Sequence, residues 1–138
     1  MIEVFLDTSF AIALSSITDQ NHLRAVELAH RLESNKTRLV TTQAILLEIG
    51  NALSKQRYRK AGIQLLESLS FDPNVEVVLL TKDLYTDAFN LFKQRKDKEW
   101  GLVDCISFIV MENRGITDAL TADIHFQQAG FRALLRTN

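Results

Sequence analysis

Short apolar runs alternate with helical segments along this whole chain, and that alternation narrows the fold more than any other feature. Ile2-Glu3-Val4-Phe5-Leu6 opens with a run suited to a strand covered on both faces. Further strand-like stretches stand at Arg38-Leu39-Val40-Thr41, from Val75 to Leu80, from Asp118 to Asp123 and from Arg132 to Leu135. Between them the spacing predicts helices. The first covers Phe10 to Leu14 and is capped by Asp7 or Thr8; an amphipathic one runs from His22 to Leu32. A third extends from Thr42 to about Arg57, and another covers Ile63 to Leu69 before a turn at Phe71-Asp72-Pro73-Asn74. Two more run from Leu84 to Lys93, after Thr81, and from Leu102 to Met111, ended by Gly115. The connections are long enough for crossovers, which predicts an α/β fold: three layers, α/β/α, around a central, mainly parallel sheet.

Size and composition limit the alternatives. At 138 residues the chain is expected to form one domain over residues 1–138. Hydrophobic residues at 46% and charged residues at 24% exclude a disordered tail, and a net charge of -1 neither demands nor forbids nucleic acid. Cys105 is the only cysteine, so no internal disulfide and no Cys-based zinc site can form; a reducing cytoplasm fits. No basic segment precedes the first apolar run, so no secretory leader is expected, and no stretch approaches the ~20 apolar residues of a membrane span.

Of 17 acids, four stand in unlikely surroundings. Asp7 and Asp123 close short apolar runs. Glu48 and Asp104 interrupt two helical segments that are otherwise nearly all apolar, Ala44 to Leu53 and Leu102 to Met111. Within those segments Asn51 and Ser107 stand three residues after the acids, on the same helix face. Each acid alone has a structural explanation. Asp7 can cap a helix, Asp104 sits where the helix dipole favours a negative charge, and Asp123 can form an Asx-turn before His125. Glu48 fits such an explanation least, because only an ion pair would make it comfortable mid-helix.

Together they ask for another. In a parallel sheet the carboxyl ends of the strands share one edge, where open α/β sheets place their ligands. No lysine or arginine is close in sequence to Asp7, Glu48 or Asp104, and gathered carboxylates repel unless a cation lies among them. Hard oxygen donors suit Mg²⁺ or Mn²⁺ rather than zinc. Carboxylate pockets holding such ions are suited to hydrolysing phosphodiesters.

Val4-Phe5-Leu6-Asp7-Thr8-Ser9, Glu48 with Asn51, Trp100-Gly101-Leu102-Val103-Asp104-Cys105-Ile106-Ser107-Phe108, and Leu120-Thr121-Ala122-Asp123-Ile124-His125-Phe126 with Gly130-Phe131 form an ordered series. The series resembles a PIN domain, most closely the small single-domain bacterial kind that includes VapC-type toxins. The resemblance spans essentially the whole chain. It implies a five-stranded sheet in the order 3-2-1-4-5 and a Mg²⁺- or Mn²⁺-dependent ribonuclease whose acidic site is Asp7, Glu48, Asp104 and Asp123. It implies supporting roles for Ser9 and Thr121, which orient carboxylates or water, and for Asn51 behind them. It also implies an RNA substrate, an antitoxin protein as partner and a homodimer.

The remaining candidates divide between chemistry and packing. Lys55, Arg57, Arg59 and Lys60, around Tyr58, offer phosphate contacts or merely a solvated helix end favoured by its dipole. His125 reads as packing beside Phe126. Cys105 faces about 100° away from Asp104 on a helix, which suits a small core residue. Trp100 is either a stacking platform for a base or a core aromatic. Phosphoaspartyl chemistry is disfavoured, because Ser9 stands where a dehalogenase-type phosphatase needs a second Asp and the paired acids of a receiver domain are missing. The alternative to a nuclease is a catalytically silent PIN-fold module that binds RNA or an antitoxin.

Overall fold

Strand β1 (Glu3–Leu6) forms the centre of a five-stranded sheet in the computed structural model, which describes residues 2–136. It pairs in parallel with β2 (Arg38–Thr42) on one side and β4 (Asp118–Leu120) on the other. β3 (Val75–Val78) lies outside β2, and β5 (Arg132–Ala133) lies outside β4. The order is 3-2-1-4-5 and all pairings are parallel, as the alternating pattern and the resemblance together implied. Phe5 stands opposite Val40 and Ala119, and the central strand is buried from Val4 onward, which is why its sequence runs apolar without alternation.

Among the described residues, seven helices flank the sheet. α1 (Thr8–Ser15), α2 (His22–Ser34), α3 (Gln43–Ala52) and α4 (Gln56–Phe71) pack on one another. α5 (Lys82–Gln94), α6 (Leu102–Arg114) and α7 (Ile124–Gln128) form the second group. The chain steps outward from β1 to β3 and then returns to β4 on the far side of β1. With crossovers of one hand, that reversal sends the later helices to the opposite face. It also makes the junction of β1 and β4 the switch point of the sheet, where a crevice opens beyond the strand ends.

Phe5, Phe10, Ile45, Ile49, Met111, Leu120 and Phe126 are fully buried. Phe108 packs edge-on against both Trp100 and Phe126, with ring centroids 5.0 Å apart in each case. Trp100 is buried and donates its indole N–H to Gln128 Oε1, so it is a core aromatic rather than a platform for a base. Cys105 is wholly buried, and burial pushes its thiol up to about 11; it is an inert core residue. Ser107, also buried, returns its hydroxyl to the Val103 carbonyl.

Several element boundaries differ from those the pattern predicts. The third helix stops at Ala52 instead of reaching Arg57, because Leu53 leaves helical geometry and Lys55 is extended. Gly62 explains the corner: an added Cβ there would lie 2.9 Å from Leu53 Cβ, so α4 packs directly against the end of α3. Lys55 to Lys60 therefore open α4 rather than close α3, and the dipole argument changes sign. α3 is also not buried all round, since Leu47 is 64% exposed. β3 ends at Val78 and β4 at Leu120, three residues before Asp123. β5 covers only Arg132–Ala133, although Leu134 and Leu135 continue its backbone bonds to Ala119 and Thr121. The five-residue α7 escapes a periodicity reading because it is little more than one turn. Met1, Thr137 and Asn138, which the expected 1–138 domain includes, lie outside the described residues. Among the described residues no helix is long and apolar enough to cross a membrane.

Candidate active site

Asp7 follows β1 directly and extends the ladder by one bond, its N–H donating to the Leu120 carbonyl at 3.1 Å. That bond fixes the carboxylate at the switch point. Asp7 occupies the N-cap position of α1, yet its side chain makes no cap hydrogen bond. Instead Oδ2 accepts from Thr121 at 2.6 Å and from Ser9 at 3.2 Å. Thr121 also accepts the Asp123 N–H at 3.0 Å, and Ser9 accepts the Ala122 N–H at 3.0 Å. Two hydroxyls thus tie the residues after β1 to those after β4.

The other acids arrive from separate elements. Glu48 projects from the middle of α3, and its Oε1 accepts the hydroxyl of Thr8. Asp104, the third residue of α6, reaches back to accept the Gly101 N–H at 3.0 Å. Asp123 caps α7 by accepting the His125 N–H at 2.8 Å, as the Asx-turn reading anticipates. The His125 ring stands between the last two acids, its Nδ1 2.9 Å from Asp104 Oδ2 and 3.4 Å from Asp123 Oδ1. Asp7, Ser9, Glu48, Asp104, Asp123, Thr8 and His125 all line one open cleft of about 530 Å³, walled also by Ile12 and by Gly101 to Val103.

The electrostatics are those of crowded acids. Asp7 is 6% exposed, and its carboxyl is pushed up to about 6. Burial does most of this and Glu48 and Asp104 add to it, while the Thr121 hydroxyl pulls the other way. Asp104 is also raised, first by burial and then by Asp123, against hydrogen bonds from His125 and Gly101. Among the described residues, the basic group ion-paired with any of the four acids is His125. Holding carboxylates this close without a lysine or arginine is costly, and a hard divalent cation relieves that cost. The donor set fits one: Asp104 and Asp123 each offer a carboxylate oxygen, and these lie within 4.8 Å of one another with the His125 ring beside both.

Not every expected residue joins this cleft. Asn51 is exposed and lines a separate hollow with Gly50, Leu53, Ser54 and Arg59, because α3 turns it past the acids. Lys55, Arg57, Arg59 and Lys60 are exposed on the first turns of α4. Arg59 spends two donors on the Ser54 carbonyl, and Arg57 lies 4.8 Å over the Tyr58 ring. In the other direction, Thr8 and His125 sit in the cleft although the pattern gives Thr8 only a capping role and His125 a packing one. Their positions beside Asp7 and Asp123 in sequence are the signal; their partners, 40 and 21 residues away, are not visible in it.

The chain and its fold have known counterparts. The PIN domain family matches residues 4–132. The 23S rRNA-specific endonuclease VapC20 of Mycobacterium tuberculosis is 31% identical over 129 residues, covering 93% of this chain and 95% of that protein. The crystal structure of Mycobacterium tuberculosis VapC20, described as a sarcin-ricin loop cleaving toxin, superposes with a TM-score of 0.81 at 29% identity, covering 93% of this chain and 95% of that one. DNA-bound VapBC from Salmonella typhimurium, at 17% identity and a TM-score of 0.68 over 96% of this chain and 97% of that one, shares the fold. A family model over residues 4–132 and a relative 31% identical over 93% of the chain together show that the chain belongs to the PIN domain family.

Proposed function

We propose that this chain is a metal-dependent endoribonuclease and the toxin of a toxin–antitoxin pair. The observation that carries this reading is the convergence of Asp7, Glu48, Asp104 and Asp123, from four separate elements, on one cleft. The relative named as a 23S rRNA-specific endonuclease makes ribosomal RNA the substrate class to test first.

Asp7, Glu48, Asp104 and Asp123 would hold Mg²⁺ or Mn²⁺. Bound there, the cation supplies charge that activates water and stabilises the scissile phosphate. The chain's own contribution is orientation. Thr121 and Ser9 hold Asp7, Thr8 holds Glu48, the Gly101 N–H holds Asp104 and the His125 N–H holds Asp123, so each acid keeps its rotamer before substrate arrives. Lys55, Arg57, Arg59 and Lys60 would contact backbone phosphates from the start of α4.

An antitoxin would sit in the apolar groove of about 510 Å³ that Phe10, Leu14, Leu32, Leu65 and Leu69 help line between α1, α2 and α4. The exposed ladder of Tyr85, Phe89 and Phe92 on α5 supports a homodimer. The lone buried Cys105 is consistent with a cytoplasmic site of action.

The deciding experiment incubates purified protein with 23S rRNA fragments and with unrelated RNA, with Mn²⁺, Mg²⁺ or EDTA. Internal cleavage that needs the metal and disappears in Asp7→Asn and Asp104→Asn is expected. Unchanged cleavage in either variant removes the catalytic assignment.

A further inference from the structure

We propose that His125 is a positioning residue for the acidic site, its ring Nδ1–H and backbone N–H together holding Asp104 and Asp123 in one cation-ready arrangement. The inference rests on the reading of the cleft as a metal site. Its starting point is donor chemistry. An ionised carboxylate only accepts, so the imidazole nitrogen 2.9 Å from Asp104 Oδ2 carries the proton. The same nitrogen lies 3.4 Å from Asp123 Oδ1, the oxygen that already accepts the His125 backbone N–H at 2.8 Å. One residue therefore binds both acids, and does so through two different groups.

The oxygens that it engages matter. Asp104 Oδ2 takes both the Gly101 N–H and the imidazole N–H, which leaves Oδ1 for a cation. Asp123 receives both its contacts on Oδ1, which leaves Oδ2. Partners of this kind behind ligating carboxylates set their orientation and basicity. Packing does not require the imidazole. The ring is 26% exposed, whereas its neighbour Phe126 is fully buried against Phe5 and Phe108 and fills the core position of α7. The acids themselves, with side chains 17% and 34% exposed, have room to rotate apart once the bridge is gone.

Mn²⁺ binding to the whole protein, without RNA, tests this by titration calorimetry and by electron paramagnetic resonance. His125→Ala is expected to weaken Mn²⁺ binding roughly 10- to 100-fold, and His125→Asn, whose amide N–H can stand in for Nδ1–H, to recover to within about threefold of wild type. Metal-free melting temperatures should match in all three proteins. Wild-type affinity in His125→Ala overturns the proposal, and so does an Asn variant as weak as Ala. Direct nitrogen hyperfine coupling to Mn²⁺ in the wild type overturns it too, by making His125 a ligand. Asp104→Asn separates the two levels. Undiminished Mn²⁺ binding in that variant defeats the metal-site reading, whereas a weakening there with none in His125→Ala defeats the positioning role alone.

Discussion

Thr121 donates its hydroxyl to Asp7 Oδ2 at 2.6 Å, joining the residue that follows β4 to the residue that follows β1. The same hydroxyl oxygen accepts the Asp123 N–H at 3.0 Å, so one buried side chain fixes the first and the last of the four acids. This contact exists because β1 and β4 are neighbours only in space.

Thr121→Val keeps the shape and removes the hydroxyl. It strands the Asp123 N–H and leaves Asp7 Oδ2 with Ser9 alone. A stability loss of about 1–3 kcal/mol is expected from those unmet groups. Cleavage should fall roughly 10- to 100-fold, as when carboxylates are deprived of their orienting partners. Thr121→Ser should behave close to wild type. Urea melts and single-turnover cleavage measure both effects, and a Val variant with full activity would show that the hydroxyl orients nothing.

Asp7 gives a pH prediction for the metal-free protein. Its carboxyl stands at about 6 folded against an ordinary 3.8, so the folded state holds the proton more tightly. Stability is then fully present below the lower value and is lost as pH rises through the higher one. Asp7→Asn removes that penalty. The variant should be more stable than wild type at pH 7.5, by up to about 3 kcal/mol, with the advantage gone by about pH 4. Saturating Mn²⁺ should narrow the gap by stabilising the ionised wild type. Paired thermal melts across pH decide it; an Asn variant less stable at every pH contradicts the cause given for the shift.

The fold and the four acids are legible in the sequence because each leaves a local trace. A carboxylate after an apolar strand, or inside an apolar helix, is anomalous wherever the chain goes next. The break between α3 and α4 leaves none: no proline or glycine stands between Ala52 and Gln56, and the cause is the close approach of Gly62 to Leu53. Asn51 misleads for the same reason, since sharing a face with Glu48 says nothing of which hollow that face meets a turn later. His125 and Thr8 are ordinary helix-start residues by sequence, and only the tertiary meeting of α7 with α6, and of α1 with α3, gives them acidic partners.

The basic start of α4 should reveal itself through salt. Lys55 and Arg57 sit in the first turn of α4, at the positive end of its dipole, so replacing them together with Lys60 by Gln should leave the fold intact and stabilise it by about 0.3–1 kcal/mol for each of the first two. If they contact phosphates, the triple variant should bind RNA more weakly and lower the slope of log affinity against log salt by ~0.7 for each phosphate of a single strand left unneutralised. Arg59 is best left in place, because it closes the Ser54 carbonyl. Filter binding at several salt concentrations provides the slope, and an unchanged slope removes these residues from the RNA interface.

Two glycines beside the corner between α3 and α4 carry opposite expectations. At Gly50 an added Cβ meets only Leu66 Cδ1 at 3.7 Å, an ordinary contact, so Gly50→Ala should stabilise by about 1 kcal/mol through helix propensity. At Gly62 the same methyl would lie 2.9 Å from Leu53 Cβ and 3.3 Å from the Leu53 carbonyl oxygen, where backbone must move. Propensity favours alanine there too, but overpacking of about 1–3 kcal/mol outweighs it. Gly62→Ala should therefore destabilise, and the displaced Leu53 should drag the end of α3, lowering cleavage as well. Urea midpoints of the two variants measured side by side test the geometry. If Gly62→Ala gains stability as Gly50→Ala does, α4 does not press on Leu53, and the corner must be held by something else.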